Sequence, residues 1–184
     1  MNCNFSISHY REILELALSH NYEFISFDTA KRISDSLTNR PQDMQKRKFC
    51  ILRHDIDYRP EWALEMGLIE KQLGIQSTYF FQVCARTYNL RDAIVWNKVH
   101  ELKELEHTIG LHFDLEWRDS INWLEVGTHC LQDKEVFAAI LGFQPCEIIS
   151  FHNTGRFKDS ILNQTVNGVH HTYEDTFIGD YKYI

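Results

Sequence analysis

Three segments of the 184-residue sequence close an apolar run with groups that can bind a cation or move a proton. FCIL is followed by Arg53-His54-Asp55-Ile56-Asp57, TIGL by His112-Phe113-Asp114-Leu115-Glu116, and EIISF by His152-Asn153-Thr154. Imidazole is a borderline ligand and carboxylate a hard one, and metal centres gather both from separate elements. In an extended segment Asp55 and Asp57 point to the same side while Ile56 points to the other. Two neighbouring carboxylates repel unless a cation or a shared proton relieves them. A site in which one ligates a metal and the other acts as base resolves that repulsion. The competing reading is that Asp55 and Asp57 cap the next helix or pair with Arg53 and Arg59, and that His112 only donates to backbone. Delivery of such groups by three strand ends to one rim favours the metal site.

The elements that must position these groups follow from periodicity. Residues 8–21 place Tyr10, Ile13, Leu14 and Ala17 on one helical face, with Ser8 as the expected N-cap. A strand over 22–27 and a short helix after Asp28 follow. Residues 39–48, which include Pro41, read as a solvated basic loop. FCILR (49–53) reads as a buried strand, and Pro60 opens a helix that Gly74 closes. Further strands are expected at 77–83, 108–112 and 147–151, with one more beginning at 181–184. Helices are expected over 91–106 and over 119–141, the second broken near Gly127 and ended by Gly142. Alternation of this kind makes βαβ units around a mostly parallel sheet, an α/β fold that is either doubly wound or a barrel. Ligands in such folds bind at the carboxyl ends of the strands, where the three segments fall.

Composition narrows the function class. Hydrophobic residues make up 43% and charged residues 24%, an ordinary globular mix that excludes a largely disordered chain. Nineteen basic against 26 acidic residues leave a charge of -7, which argues against nucleic acid as a partner. No apolar run reaches the ~18 residues of a membrane span, and the N-terminus lacks a signal-peptide pattern. Five widely spaced cysteines, with no CxxC, indicate neither a zinc knuckle nor a disulfide framework. A cytoplasmic protein of one domain, residues 1–184, is the expectation.

RHDID after a buried strand, STYFF followed by Tyr88-Asn89, IGLH with Phe113-Asp114, and ISFH together resemble the polysaccharide deacetylase (NodB-like) superfamily, the family-4 carbohydrate esterases. The match is to the divergent branch with an HDxD first motif, associated with surface-polysaccharide biosynthesis, and SHYREILELALSHNYEFISFD is similar to the start of that branch. The resemblance implies a distorted (β/α) barrel and metal-dependent removal of acetyl from an N-acetylated sugar. It makes Asp55 the base and moves the carboxylate ligand to Asp57, because Ile56 occupies the usual ligand position. It makes His112 a ligand, while Glu116 stands where a second histidine four residues on is usual. His152 is then the expected source of the missing imidazole, with Glu116 or Asp114 as weaker candidates. Tyr88 is expected to help bind the oxyanion. Arg156 is the substrate-orienting candidate, two residues beyond the Asn153-Thr154 that replaces the branch's Arg-Pro.

The chemistry so implied uses a divalent metal, zinc first, held by Asp57, His112 and His152. The expected substrate is a nucleotide- or lipid-linked acetamido-sugar precursor. The family's leaving-group histidine comes from strands beyond the equivalent of GDYKYI, so the barrel is expected to be incomplete at its C-terminus. An incomplete barrel exposes strand edges and apolar faces, which predicts self-association. Two rival readings are a truncated, non-catalytic protein that binds metal or sugar, and a hydrolase of another C–N bond. His54 is expected at most to support the site, and the remaining seven histidines to serve surface or packing roles.

Overall fold

The computed structural model describes residues 6–35, 47–116, 122–161 and 165–178. The strand expected at 181–184, the start of the helix expected at 119 and all but the end of the 39–48 loop lie outside them. Helix α1 (Ile7–Ser19) is capped by Ser6 rather than by Ser8; Ser6 is extended and its hydroxyl accepts from His9 N. Strands β1 (Tyr22–Phe24) and β2 (Lys48–Cys50) form a separate parallel pair on either side of α2 (Phe27–Asp35) in the chain.

Four further strands, β3 (Arg53–Ile56), β4 (Thr78–Phe81), β5 (Thr108–Asp114) and β6 (Ser150–His152), are all parallel and lie in the order β3-β4-β5-β6. Each is added on the same side of the last, so the order never reverses. Right-handed crossovers in one direction put their helices on one face and curl the sheet. The result is a half-barrel of mixed α/β class, and the doubly wound alternative is set aside. The crossover helices are α3 (Pro60–Gln72), α4 (Ala93–Glu104) and α5 (Trp123–Leu141). A 3-10 turn (Thr154–Phe157), α6 (Lys158–Ile161) and α7 (Asp175–Ile178) complete the described elements.

Strand boundaries differ from the apolar runs in an instructive way. The expected strand 49–53 is two strands: Ile51 packs into the cluster around Phe80 and Leu52 into that around Leu14, where the chain passes from one sheet to the other. Strand β5 runs on to Asp114, two residues past its expected end, and β6 is shifted to end at His152, so this histidine lies within a strand rather than after it. Helix α5 continues through Gly127, where an added Cβ would come 2.5 Å from Val166 O; this glycine marks close approach, not a break. Gly142, in the left-handed region at φ 75°, ends the helix as expected.

Alternation along the strands divides the sheet into two chemistries. Tyr79, Phe81, Ile109, Leu111, Phe113 and Phe151 face the helices and bury against Val95, Val99, Leu102, Val126, Phe137 and Leu141. Each such side chain removed from water is worth about 1.5–3 kcal/mol. On the concave face, Phe80 packs with Phe27 and Ala30 of α2, Ile148, and Phe177 of α7. The four described cysteines are unpaired, and burial pushes the Cys146 thiol up to about 12. Among the described residues no helix is long and apolar enough to cross a membrane.

One buried polar cluster interrupts the helix-side core. Glu70 of α3, fully buried, lies 2.7 Å from His54 Nε2 and accepts hydrogen bonds from the hydroxyls of Tyr10, Ser77 and Tyr79. His107 Nδ1 is 3.6 Å away, and its Nε2 is 2.9 Å from Gly67 O. His54 stacks on Tyr79 at 4.5 Å. The cluster ties α1, β3, α3, β4 and the entry to β5 together, and a buried carboxylate is tolerated because its lone pairs are filled.

Candidate metal centre

The concave face is organised in rows set by strand register. Asp55 is paired with Phe80 and Phe80 with Gly110, so two residues further on Asp57, Gln82 and His112 form the next row. His112 is itself paired with Ser150, which completes the row on β6. His152 lies one step above Ser150 on the same face, paired with Asp114.

Register thus converges three side chains on one carboxylate oxygen. Asp57 Oδ1 is 3.2 Å from His112 Nε2 and 3.0 Å from His152 Nδ1, and it accepts from Gln82 Nε2 at 3.0 Å. Ligand atoms of Asp57, His112 and His152 all lie within 4.8 Å of one another. The hydrogen bond accepted from His112, with the electrostatic pull of the two nearby imidazole rings, holds the Asp57 carboxyl below its usual range, against the opposing effect of partial burial. Two imidazole nitrogens and one carboxylate oxygen, drawn from three elements and left open on one side, are a donor set that fits a catalytic divalent ion such as zinc. His112 is 2% exposed and turns Nε2 toward Asp57, while its Nδ1 has no hydrogen-bond partner among the described residues.

Asp55 lies on the same face, one row below. Its Oδ2 is 3.3 Å from Arg53 Nη2, and its Oδ1 is buried without a partner. Arg53 is anchored in turn by the Thr172 hydroxyl, by Tyr173 Oη at 3.3 Å and by the Tyr173 ring at 4.9 Å. It therefore bridges the first strand of the half-barrel to residues 172–173, which follow the bridge between Ile149 and His171 beside β6. The Arg53 pairing considered for the aspartates is thus present for Asp55. Neither aspartate caps α3, whose N-cap residue is Arg59 with no side-chain cap.

The other expected residues are placed differently. Tyr88 is buried, donates its hydroxyl proton to Ile56 O at 2.6 Å and accepts from Gln82 N at 2.8 Å. That proton is committed to backbone, so Tyr88 clamps the strand ends beside Asp57 instead of offering a donor to an oxyanion. The backbone of Arg156 lies in the 3-10 turn after His152, and its side chain is outside the described residues. Asp114 Oδ1 accepts from Glu116 N at 2.9 Å and from Asn153 Nδ2 at 3.3 Å, so its side chain braces the turns that leave β5 and β6. Glu116 is exposed. His54 serves the Glu70 cluster on the opposite face, His170 pairs with Lys31 and Glu174, and His171 packs beside Phe151.

Two residues of this site were not expected from the sequence. Gln82 extends STYFF by one polar residue, and its position two after Phe80 is the signal that would have found it. Arg53, in the sequence only a competitor for the aspartates, braces Asp55 within the same site.

No family model matches the sequence, and no curated protein matches it. A solved structure similar to this chain is the deacetylase PplD of Streptococcus pyogenes in complex with acetate. It shares 14% identity, and the match covers 90% of this chain and 78% of that one with a TM-score of 0.54. The likeness is one of fold: the chain has a deacetylase-like half-barrel.

Proposed function

We propose that the protein is a metal-dependent hydrolase that removes acetyl from an acetamido sugar of a glycan precursor. The observation that carries this reading is the convergence of Asp57, His112 and His152, with Asp55 one row below on the same face. A deacetylase-like fold supports the choice of an acetamide as the bond cleaved. A divalent ion bound by these three residues would lower the pKa of water and polarise the acetamide carbonyl.

The chain's own groups supply the rest. Gln82 fixes the Asp57 carboxylate from the side, and Tyr88 fixes the backbone on either side of it. Asp55 takes the proton of the attacking water, its carboxylate oriented by Arg53 through Oδ2 with Oδ1 left to accept. A second reading, sugar or metal binding without turnover, draws its support from the groups that would donate a proton to the oxyanion or the leaving amine. Tyr88 has committed its proton, and His170 and His171 are engaged with other partners.

Elemental analysis of the purified protein and an acetate assay on N-acetylated amino sugars test both. Stoichiometric metal with acetate release supports the hydrolase. Metal without acetate from any N-acetylated sugar selects the binding protein. A protein free of metal that gains no activity from zinc overturns the first reading.

A further inference from the structure

We infer that Ser150 is the positioning partner of His112: its Oγ accepts the Nδ1 proton and so fixes the tautomer that presents Nε2 to the metal. This rests on the proposed metal centre and adds to it a residue outside the ligand set. Three buried side-chain atoms lack a hydrogen-bond partner among the described residues, namely Asp55 Oδ1, His112 Nδ1 and Ser150 Oγ. All three belong to the concave face, and two of them are register neighbours, because His112 is paired with Ser150. Residues paired in a parallel ladder have side chains on the same face, one strand spacing apart.

Both are closed to bulk water, His112 being 2% and Ser150 0% exposed, so neither can find a solvent partner. Buried polar atoms are rarely left unpaired in folded proteins. A neutral imidazole has one donor and one acceptor nitrogen, so a ring that offers the Nε2 lone pair must carry its proton on Nδ1. That proton needs an acceptor, and the hydroxyl with free lone pairs lies in the adjacent position of the same row. The contact this inference requires is reached by a change of the serine χ1 or through one bridging water. Metal-bound histidines generally donate their other ring N–H in this way, and the donation raises ligand basicity.

Zinc titration of metal-stripped protein against a chromophoric chelator tests the inference, with the wild type compared to Ser150→Ala and, as a second hydroxyl-free variant, Ser150→Gly. The expected result is a zinc affinity lowered roughly 10–100-fold in both variants, with one equivalent still bound at saturation. Long-range ¹H–¹⁵N spectra of the zinc-loaded wild type give a second readout that needs no variant. The His112 proton is expected on Nδ1 there, slow to exchange in the wild type and fast in Ser150→Ala. Unchanged affinity in both variants, or a wild-type proton on Nε2, overturns the role of Ser150 while leaving the metal centre standing. A wild type that takes up no zinc overturns the metal centre itself, and the inference with it.

Discussion

Replacing Glu70 gives the sharpest test of how this fold is held together. Its carboxylate accepts from Tyr10, Ser77 and Tyr79 (the last at 2.9 Å) and lies 2.7 Å from His54 Nε2, all without exposure to solvent. Hydrogen bonds to a charged group contribute about 1.5–3 kcal/mol each, and a donor left unpaired in the interior costs about as much. Glu70→Ala removes every acceptor at once and opens a cavity, so a loss of ~3–5 kcal/mol is expected. Glu70→Gln keeps one acceptor oxygen for Tyr10 and His54, and the Ser77 and Tyr79 hydroxyls can turn to accept from the new amide. Its expected cost is correspondingly smaller, about 1–4 kcal/mol. Urea unfolding at neutral pH measures both.

The pH dependence of that stability has a definite sign. Burial pushes the Glu70 carboxyl up, but hydrogen bonds from His54, Ser77 and Tyr10 outweigh it, and the net position is below the ordinary value of 4.5. A group depressed on folding stabilises above its unfolded pKa, and that contribution is lost as pH falls through the folded value. The wild type therefore loses midpoint on acidification below about pH 4.5, and Glu70→Gln lacks this part of the slope. A Glu70→Ala variant as stable as the wild type, or equal acid slopes for wild type and Glu70→Gln, would refute the reasoning.

Three further outcomes are expected. Asp55→Asn abolishes acetate release while leaving metal stoichiometry intact, because Asp55 is braced by Arg53 and stands outside the ligand set; elemental analysis beside the acetate assay checks the split. Gln82→Leu weakens metal binding by roughly tenfold, since it removes the group that steadies Asp57 Oδ1, and chelator competition reads it. Gly110→Ala destabilises the fold by about 1–3 kcal/mol in a denaturant titration. Its Cβ would stand 2.5 Å from the Phe80 ring and 2.9 Å from Cys146 Sγ, in a layer already closed by Phe27 and Phe177.

Much of the site was legible because its residues announce themselves chemically. Asp and His after apolar runs point to a rim, and Asp57, His112 and His152 do meet there. What the apolar runs hid was where the strands end. A strand read by hydrophobicity stops near its last apolar residue, but the parallel ladder continues while one face is polar, as at Asp114 and His152. Gln82 is hidden for another reason: it falls inside the strand expected at 77–83, and an amide carries no chemical signal of its own until its register beside Asp57 is known. Tyr88 shows a further limit of sequence, because a tyrosine's hydroxyl can serve backbone or ligand equally and only structure gives it Ile56 O and Gln82 N as partners. Gly127 illustrates a different limit, since the close approach of Val166 comes from a segment nearly forty residues away and no local pattern encodes it.

The two polar clusters of this protein are linked by the parity of one strand. In RHDI-D, Arg53, Asp55 and Asp57 face the concave side and His54 and Ile56 face the helices. Slipping β3 by one residue would turn Asp55 and Asp57 into the apolar layer and His54 into the site. Apolar burial alone guards weakly against this, because β3 carries a single large apolar side chain, Ile56, toward the helices. The bond from His54 to Glu70, backed by stacking on Tyr79, supplies the missing discrimination: in the slipped register it would be replaced by a buried carboxylate facing a buried carboxylate. The Glu70 cluster, which touches none of the candidate ligands, is in this sense what fixes which side of the sheet they occupy. A Glu70 variant that remains folded should accordingly lose metal affinity when it loses β3 register, and amide exchange at His54 and Asp55 would rise with that loss.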